Sequence, residues 1–145
     1  MANAAIKTYS SPIAGWGGTA NGANIGATTV YAVPAGEAGM YRVTAHIYQR
    51  ATGTASVLPT VDVVFTENGV AITTGTSTGA IENQGSAANA ASHLINTNNA
   101  NATTACGTGT AIIHADASTN IQIVTAGGTY AGMTYDIYVT VERLQ

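Results

Sequence analysis

The sequence predicts an all-β fold, a single sandwich or barrel of about eight antiparallel strands. Apolar residues seldom recur at the spacing of an amphipathic helix, and Gly or Thr interrupts nearly every window long enough for one. Short runs rich in Val, Ile, Thr and Tyr recur along the chain, separated by Gly, Pro and Asn. The chain has 145 residues, 46% of them hydrophobic, and a net charge of −3, which favours one folded domain over a disordered chain.

The first clear strands follow residue 27. Thr28 to Gly36 is a β-branched and aromatic run that Pro34 stops, and Met40 to Arg50 then alternates. One face of this second strand carries Tyr41, Val43, Ala45 and Ile47, and the other carries Arg42, Thr44, His46, Tyr48 and Arg50. We therefore predict an N-terminal arm or first turn region over residues 1–27 and the β-sandwich domain over residues 28–145.

A hairpin is predicted within Thr60 to Gly75. Asn68 and Gly69 stand between two strand-like runs, and this pair readily takes the positive φ angles of a type I′ turn. From Ala80 to Thr110 the chain is rich in Asn, Ala and Thr, which predicts long surface loops with one short strand at Ser92 to Thr97. The remaining strands are predicted at 109–116, 120–127 and 133–145.

Charge is scarce, and this excludes some classes of partner. Charged residues make up 8% of the chain, against roughly 25% in typical soluble domains. The basic residues are only Lys7, Arg42, Arg50 and Arg143, too few for a run of phosphate contacts, so no nucleic-acid partner is expected. The chain shows no signal-peptide pattern at its start and no apolar stretch of about 18 residues, so we expect synthesis in a cytoplasm and no membrane partner.

Residues typical of catalysis or metal binding are few and scattered. His114 and Asp116 share one face of a predicted strand at a spacing compatible with zinc, but a strand-end His beside a turn-forming Asp explains them more simply. Cys106, the single cysteine, has no base or cation among its sequence neighbours and is interpreted as a small packing residue. We therefore expect no enzyme activity, no catalytic or metal-binding residues and no cofactor.

One strand face has the composition of a contact surface. The polar face of the strand at 40–50 combines Tyr, His and Arg, and Tyr138, Thr140 and Glu142 form a similar stripe on the last strand. The face is either an interface with a sister subunit or partner, or an ordinary solvated sheet face. Trp16 either plugs one end of the barrel or anchors the N-terminal arm on a neighbour. The candidate interface residues are Trp16, Arg42, His46, Tyr48, Arg50 and Tyr138.

Two segments carry a resemblance to a known family. "VPAGEAGMYRVTAHI" (33–47) and "YDIYVTVERL" (135–144) resemble the jelly rolls of the C1q and tumour-necrosis-factor type, in which a Pro and Gly turn leads into a G-x-Y strand and the last strand is central. The matching residues are Pro34, Gly39, Tyr41 and His46, with Tyr135, Ile137, Val139 and Val141 in the last strand. The resemblance implies a jelly-roll β-sandwich.

The composition is also similar to that of small virion proteins of tailed bacteriophages, particularly trimeric capsid decoration (cement) proteins. This resemblance implies a homo-oligomer, in the form of a trimer, that binds the major capsid protein on the outer surface of the virion and stabilises the head. Burial against sister subunits and a shell would account for the low charge, because charged side chains are costly to desolvate. The alternative is a receptor-binding or carbohydrate-binding module of a head or tail fibre, with the loops of 80–110 as its surface and Tyr130, Asn83 or Asn98 contributing.

Overall fold

The computed structural model describes residues 12–74 and 105–145. These residues contain eight strands and no helix, which confirms the all-β prediction. The strands are β1 (Ala14–Asn21), β2 (Thr28–Ala32), β3 (Gly39–Ala51), β4 (Thr60–Glu67), β5 (Val70–Thr73), β6 (Cys106–Ala115), β7 (Asn120–Ala126) and β8 (Thr134–Arg143).

The strands form two antiparallel sheets, and the strands of the first half of the chain pair with those of the second half in reverse order. The first sheet has the order β1-β8-β3-β6 and the second the order β2-β7-β4-β5. Strand β1 pairs with β8, β2 with β7, β3 with β6 and β4 with β5, as in one long hairpin that has been rolled up. This is a jelly-roll sandwich. The last strand, β8, lies between β1 and β3, at the central position that was expected.

The core lies between the two sheets. In each strand every second residue points into this core and the residues between them point outward. On the first sheet, the inward residues of β3 and β8 are fully buried. Those of β4 and β7 close the core from the other side. The largest of these side chains include Tyr41, Ile47, Val61, Val63, Ile121, Ile123, Ile137 and Val139. Burial of each such side chain contributes about 1.5–3 kcal/mol, so the two sheets hold together through this layer.

The predicted hairpin is confirmed. Strands β4 and β5 are joined by Asn68 and Gly69, and Glu67 pairs with Val70 directly across the turn. The φ angles are 51° at Asn68 and 74° at Gly69, both positive as a type I′ turn requires. The two-residue turn fixes the register of the hairpin.

Two Gly-rich segments form strands that the sequence did not predict. The first strand was expected at Thr28, but Ala14–Asn21 already forms β1 beside β8. Likewise β6 begins at Cys106 and not at Gly109, so its first residues were wrongly assigned to a loop. Glycine has a low strand propensity, and both segments are held by pairing with a long neighbouring strand at an edge of the sheet. The short strand predicted at 92–97 lies outside the described residues.

Candidate functional site

Most of the candidate residues lie on one surface, the outer face of the first sheet. Arg42, His46, Tyr48 and Arg50 occupy alternate positions of β3, and Tyr138 on β8 pairs directly with His46. Paired residues of neighbouring antiparallel strands point to the same side of a sheet. The structure therefore brings these five side chains onto one surface, which we call the outer face.

Trp16 does not belong to the outer face. It pairs with Val139 of β8, whose side chain is buried in the core, so it points to the inner side of the sheet. Trp16 is half-buried and packs against the core. The sheet itself thus separates Trp16 from the other candidate residues.

The outer face is built from rows of side chains that cross the strands. The rows, in the order β8, β3, β6, are Glu142–Arg42–Ile112, Thr140–Thr44–Thr110, Tyr138–His46–Thr108 and Asp136–Tyr48–Cys106. Each row contains at least one polar link between neighbouring strands. Arg42 forms an ion pair with Glu142 at 2.9 Å, the hydroxyl groups of Thr44 and Thr110 lie 3.1 Å apart, and Nδ1 of His46 lies 2.9 Å from the Thr108 hydroxyl.

An aromatic cluster occupies the centre of the outer face. The rings of Tyr48 and Tyr138 are stacked with centroids 6.3 Å apart and an angle of 17° between their planes, and His46 lies 6.0 Å from Tyr48. The Tyr138 side of the cluster approaches β1 at Gly17, where an added Cβ would lie 3.2 Å from Cδ1 of Tyr138. Glycine at this position lets the ring lie close to the backbone of β1. Tyr138 remains 45% exposed.

A buried carboxylate lies at the edge of this cluster. Asp136 is only 1% exposed although it points to the outer side of β8. Its Oδ2 accepts hydrogen bonds from the Tyr48 hydroxyl at 2.6 Å and from the Arg50 guanidinium at 3.3 Å. Its Oδ1 accepts the main-chain N–H of Ala20 at 2.6 Å. The ladder between β1 and β8 is irregular between Gly18 and Asn21, and Ala20 there has a φ of 53°.

These contacts shift the pKa values of both Asp136 and Tyr48. The hydrogen bond from Tyr48 holds the pKa of Asp136 below its ordinary value against the opposing effect of burial, and the Ala20 N–H and the Arg50 guanidinium act in the same direction. The same bond raises the pKa of Tyr48 to about 12, with a smaller contribution from Tyr138. Asp136 is thus ionised and fully engaged at neutral pH, and it holds β1, β3 and β8 together.

The outer face therefore exposes apolar and aromatic groups beside charges that are already paired. Ile112 is 54% exposed in the row of the Arg42–Glu142 ion pair. Arg50 is paired with Asp136. A surface of this kind suits contact with another protein surface, because Tyr and Arg side chains are enriched in such contacts. It offers no cluster of unpaired cations for phosphate groups.

The two residues with zinc-compatible spacing have other contacts. Nδ1 of His114 lies 3.6 Å from Oε1 of Glu67. Asp116 accepts hydrogen bonds from the main-chain N–H groups of Asn68 and Gly69, at 3.1 and 2.8 Å. Within residues 12–74 and 105–145, no three His, Cys, Asp or Glu side chains are arranged to hold a metal ion. Asp116 begins the turn after β6, where its carbonyl oxygen accepts the Thr119 hydroxyl at 2.7 Å, and its carboxylate also binds the turn after β4.

Cys106 is exposed at the start of β6, opposite Tyr48. Its interpretation as a packing residue is therefore wrong. The reason is the register: the segment before Gly109 is part of a strand, and the alternation of that strand places Cys106 on the outer face.

Tyr130, a candidate for sugar stacking, is used within the protein. Its ring stacks on Tyr135 with centroids 5.9 Å apart, and its hydroxyl donates a hydrogen bond to the side-chain oxygen of Asn24. Tyr135 in turn donates to the carbonyl oxygen of Ala23 at 2.9 Å. Burial raises the pKa of both Tyr130 and Tyr135. Together these contacts join the two stacked rings to the segment at 23–24.

Sequence reasoning missed two important residues of the outer face, Asp136 and Ile112. The alternation of β8 does place Asp136 beside Tyr138 and Thr140, but its pairing with Tyr48 depends on the register of strands almost ninety positions apart. Ile112 is adjacent to Ile113 in sequence, and only one of two neighbouring strand residues can point into the core. Alternation alone predicts that one of these two isoleucines is exposed. Only the strand register shows that the exposed one is Ile112.

Comparison of the chain with protein-family models, with curated proteins and with solved structures finds no match. The described residues include no helix of the length and apolarity needed to cross a membrane. The fold and the outer face are therefore the basis for any functional conclusion.

Proposed function

We propose that the protein is a structural virion protein, a capsid decoration subunit on the outer surface of the head. Its subunits associate through the outer face of the first sheet, and the resulting homo-oligomer, a trimer, binds the major capsid protein lattice and stabilises the head. The observation that carries the proposal is the outer face itself: the stacked Tyr48–Tyr138 pair and the exposed Ile112 lie among charges that are already paired.

The energetics of the outer face favour burial. Covering an unpaired charge costs several kcal/mol, whereas Asp136 is already out of contact with water and Arg42 already has its partner Glu142. Covering Tyr138 and Ile112 buries apolar area, and the cost of desolvating the partly exposed Arg42 and Arg50 is reduced because each already has a carboxylate partner. Buried aromatic side chains near the centre of an interface carry most of its affinity.

Among residues 12–74 and 105–145, no strand pairs with the far side of β6, and this sheet edge beside the outer face also supports association. The N–H of Gln49 donates to the carbonyl oxygen of Ala105 at 2.8 Å, which shows that the alternate residues Ala105, Gly107 and Gly109 turn their backbone groups towards β3. The residues between them therefore direct their N–H and C=O groups away from the sheet. Among the described contacts, the first on this edge is the hydrogen bond from the Asp116 N–H to the carbonyl oxygen of Thr66 at 2.8 Å.

The described strand β6 also lacks several of the features that discourage pairing between sheet edges. Its ten residues include no Lys and no Pro, and its pairing with β3 contains no bulge. In a trimer each subunit would cover this edge with a different surface of its neighbour, because three-fold contacts join unlike surfaces.

Oligomer formation explains how a low-affinity contact between one subunit and the shell gives high-affinity binding of the whole oligomer. A trimer with three copies of a lattice-binding surface gains avidity of roughly 10² to 10⁴ over a single subunit, provided the spacing of the sites matches. Stabilisation of the shell then follows from mass action, since the oligomer binds only assembled lattice. The alternative function, receptor or carbohydrate binding, stays a prediction that no described contact favours, because most of residues 80–110, with Asn83 and Asn98, lie outside the described residues.

The proposal is tested by co-sedimentation with empty heads of the phage that encodes the chain. The wild-type protein should pellet with the heads and saturate at a fixed ratio to the major capsid protein. The double variant Tyr138→Ser and Ile112→Ser should remain in the supernatant, because single subunits lose the avidity of the oligomer. The matched control is Gln122→Ser on the outer side of the second sheet, which should pellet as the wild type does. Wild-type protein that stays in solution with intact heads would refute the proposal.

A further inference from the structure

A single carboxylate holds both main-chain N–H groups of the β4–β5 turn. Oδ1 of Asp116 accepts the N–H of Asn68 at 3.1 Å, and Oδ2 accepts the N–H of Gly69 at 2.8 Å. The N–H of Asp116 itself donates to the carbonyl oxygen of Thr66 at 2.8 Å. Asp116 follows β6 of the first sheet, so these three bonds tie the first sheet to the hairpin of the second.

The turn contains a dipeptide with a known spontaneous chemistry. In an Asn–Gly sequence the main-chain nitrogen of the glycine can lose its proton and attack Cγ of the asparagine side chain. A cyclic imide forms and ammonia leaves; water then opens the imide to aspartate or to isoaspartate. No oxidant, metal or enzyme takes part. Asn68 and Gly69 are both exposed, so water reaches the site, and Gly69 has no side chain to hinder the attack.

We propose that Asn68–Gly69 is a deamidation site whose rate is set by the Asp116 carboxylate. The attacking atom is the nitrogen of Gly69, and its hydrogen is the one that Oδ2 of Asp116 accepts at 2.8 Å. Removal of that proton creates a negative charge beside the carboxylate, which like-charge repulsion opposes. The same two bonds also hold the turn in its type I′ form, and the chain must leave this form before the nitrogen can reach Cγ.

Deamidation would weaken the same contact between Asp116 and the turn that slows the reaction. Aspartate or isoaspartate at position 68 places a second carboxylate within the turn that Asp116 holds, and the two negative charges repel. Isoaspartate also lengthens the main chain by one atom, which a two-residue turn does not accommodate. Each event therefore loosens the contact between β6 and the β4–β5 hairpin.

The chain offers an internal reference for the experiment. The sequence has one other Asn–Gly pair, Asn21–Gly22, which lies at the end of β1. There the side chain of Asn21 donates to the carbonyl oxygen of Tyr135 at 3.2 Å, and no described hydrogen bond joins the N–H of Gly22 to a carboxylate. This pair reports the reactivity of an Asn–Gly sequence in the same sample without the Asp116 contact.

The test measures deamidation at both sites in the full-length protein. Wild-type protein and the variants Asp116→Asn, Asp116→Glu and Glu67→Gln are incubated at mildly alkaline pH, and peptide mapping by mass spectrometry gives the rate at Asn68 and Asn21. Loss of the Asp116 carboxylate should raise the rate at Asn68 about tenfold or more, the factor that about 1.4 kcal/mol of activation free energy produces. The rate at Asn21 should not change.

The other variants separate the hydrogen bond from nearby charge and from unfolding. Glu67→Gln removes a carboxylate near the turn without touching its N–H groups and should leave the rate at Asn68 as in the wild type. Asp116→Glu retains the charge but displaces the carboxylate oxygens, so its rate at Asn68 should lie between those of the wild type and Asp116→Asn. If Asp116→Asn does not fold, the comparison of Asp116→Glu with the wild type tests the proposal. Equal rates at Asn68 in wild type and in the folded Asp116 variants would overturn the proposal. So would a wild-type rate that denaturation in urea does not raise.

Discussion

The outer sides of the two sheets obey the same alternation and yet differ in content. The outer face of the first sheet carries stacked aromatic rings, an exposed isoleucine and paired charges. The outer side of the second sheet carries small polar and branched residues, for example Thr29, Gln122 and Val64 in one row, with the Gln122 amide 3.3 Å from the Thr29 hydroxyl. Alternation tells which residues point outward, whereas the choice of side chain tells which surface is suited to association.

The two sheets also differ in how an outward-pointing acid is buried. On β4 of the second sheet, Asp62 is 3% exposed and accepts a hydrogen bond from Thr74, near the end of the adjacent hairpin strand. On the first sheet, Asp136 has contacts with Ala20 of β1 and with Tyr48 and Arg50 of β3. The contact between Asp62 and Thr74 lies within the second sheet beside its hairpin, and the contacts of Asp136 join three strands of the outer face.

The largest expected effect comes from the removal of the Asp136 carboxylate. Asp136→Ala should lower the free energy of unfolding by about 3 kcal/mol, because the Tyr48 hydroxyl and the Ala20 N–H lose a buried charged acceptor. Urea denaturation measures this difference. The matched control is Glu142→Ala, which breaks an exposed ion pair with Arg42 on the same face and should cost less than about 1 kcal/mol. Equal losses in the two variants would contradict the role assigned to Asp136.

A pH series should show the contribution of Asp136 directly. Its folded pKa lies below the unfolded value, so its contribution to stability is fully present above the unfolded pKa of about 3.9 and is lost as the pH falls through the folded pKa. The wild type should therefore lose stability more steeply in this acidic range than Asp136→Asn does. Urea midpoints measured from neutral to strongly acidic pH give both curves. Parallel curves would show that Asp136 is not the titrating group.

The smallest expected effect concerns the glycine beneath Tyr138. Gly17→Ala places a methyl group 3.2 Å from Cδ1 of Tyr138 and should push the ring away from β1, whereas the Cβ of Gly15→Ala meets only an ordinary contact at 3.5 Å. We expect Gly17→Ala to weaken subunit association about threefold, which corresponds to a fraction of a kcal/mol. Sedimentation equilibrium compares the two variants. A stronger loss in Gly15→Ala would show that the position of the Tyr138 ring does not matter for association.

Much of the fold could be predicted from the sequence, because local signals were strong where side chains were large. The alternation of β3 and β8 and the Asn68–Gly69 turn were all confirmed. The Gly-rich β1 and the start of β6 were missed, since their pairing comes from neighbouring strands and not from their own side chains.

The outer face could be predicted only in outline. Alternation placed the polar residues of β3 on one side and Tyr138 on the matching side of β8. The register that pairs Tyr48 with Asp136, and the inward direction of Trp16, depend on contacts between strands distant in sequence. Such contacts leave no local signal, so Asp136 could be identified only in the structure.

The most direct test of the outer face is the native molar mass by light scattering over a range of micromolar concentrations. Wild-type protein should have the mass of a trimer, and the double variant Tyr138→Ser and Ile112→Ser should have the mass of a single chain with the far-UV circular dichroism spectrum of the folded wild type. Gln122→Ser on the second sheet should keep the wild-type mass. A wild-type protein that is monomeric throughout, or a double variant that keeps the oligomeric mass, would contradict the assignment of the outer face as the surface through which the subunits associate.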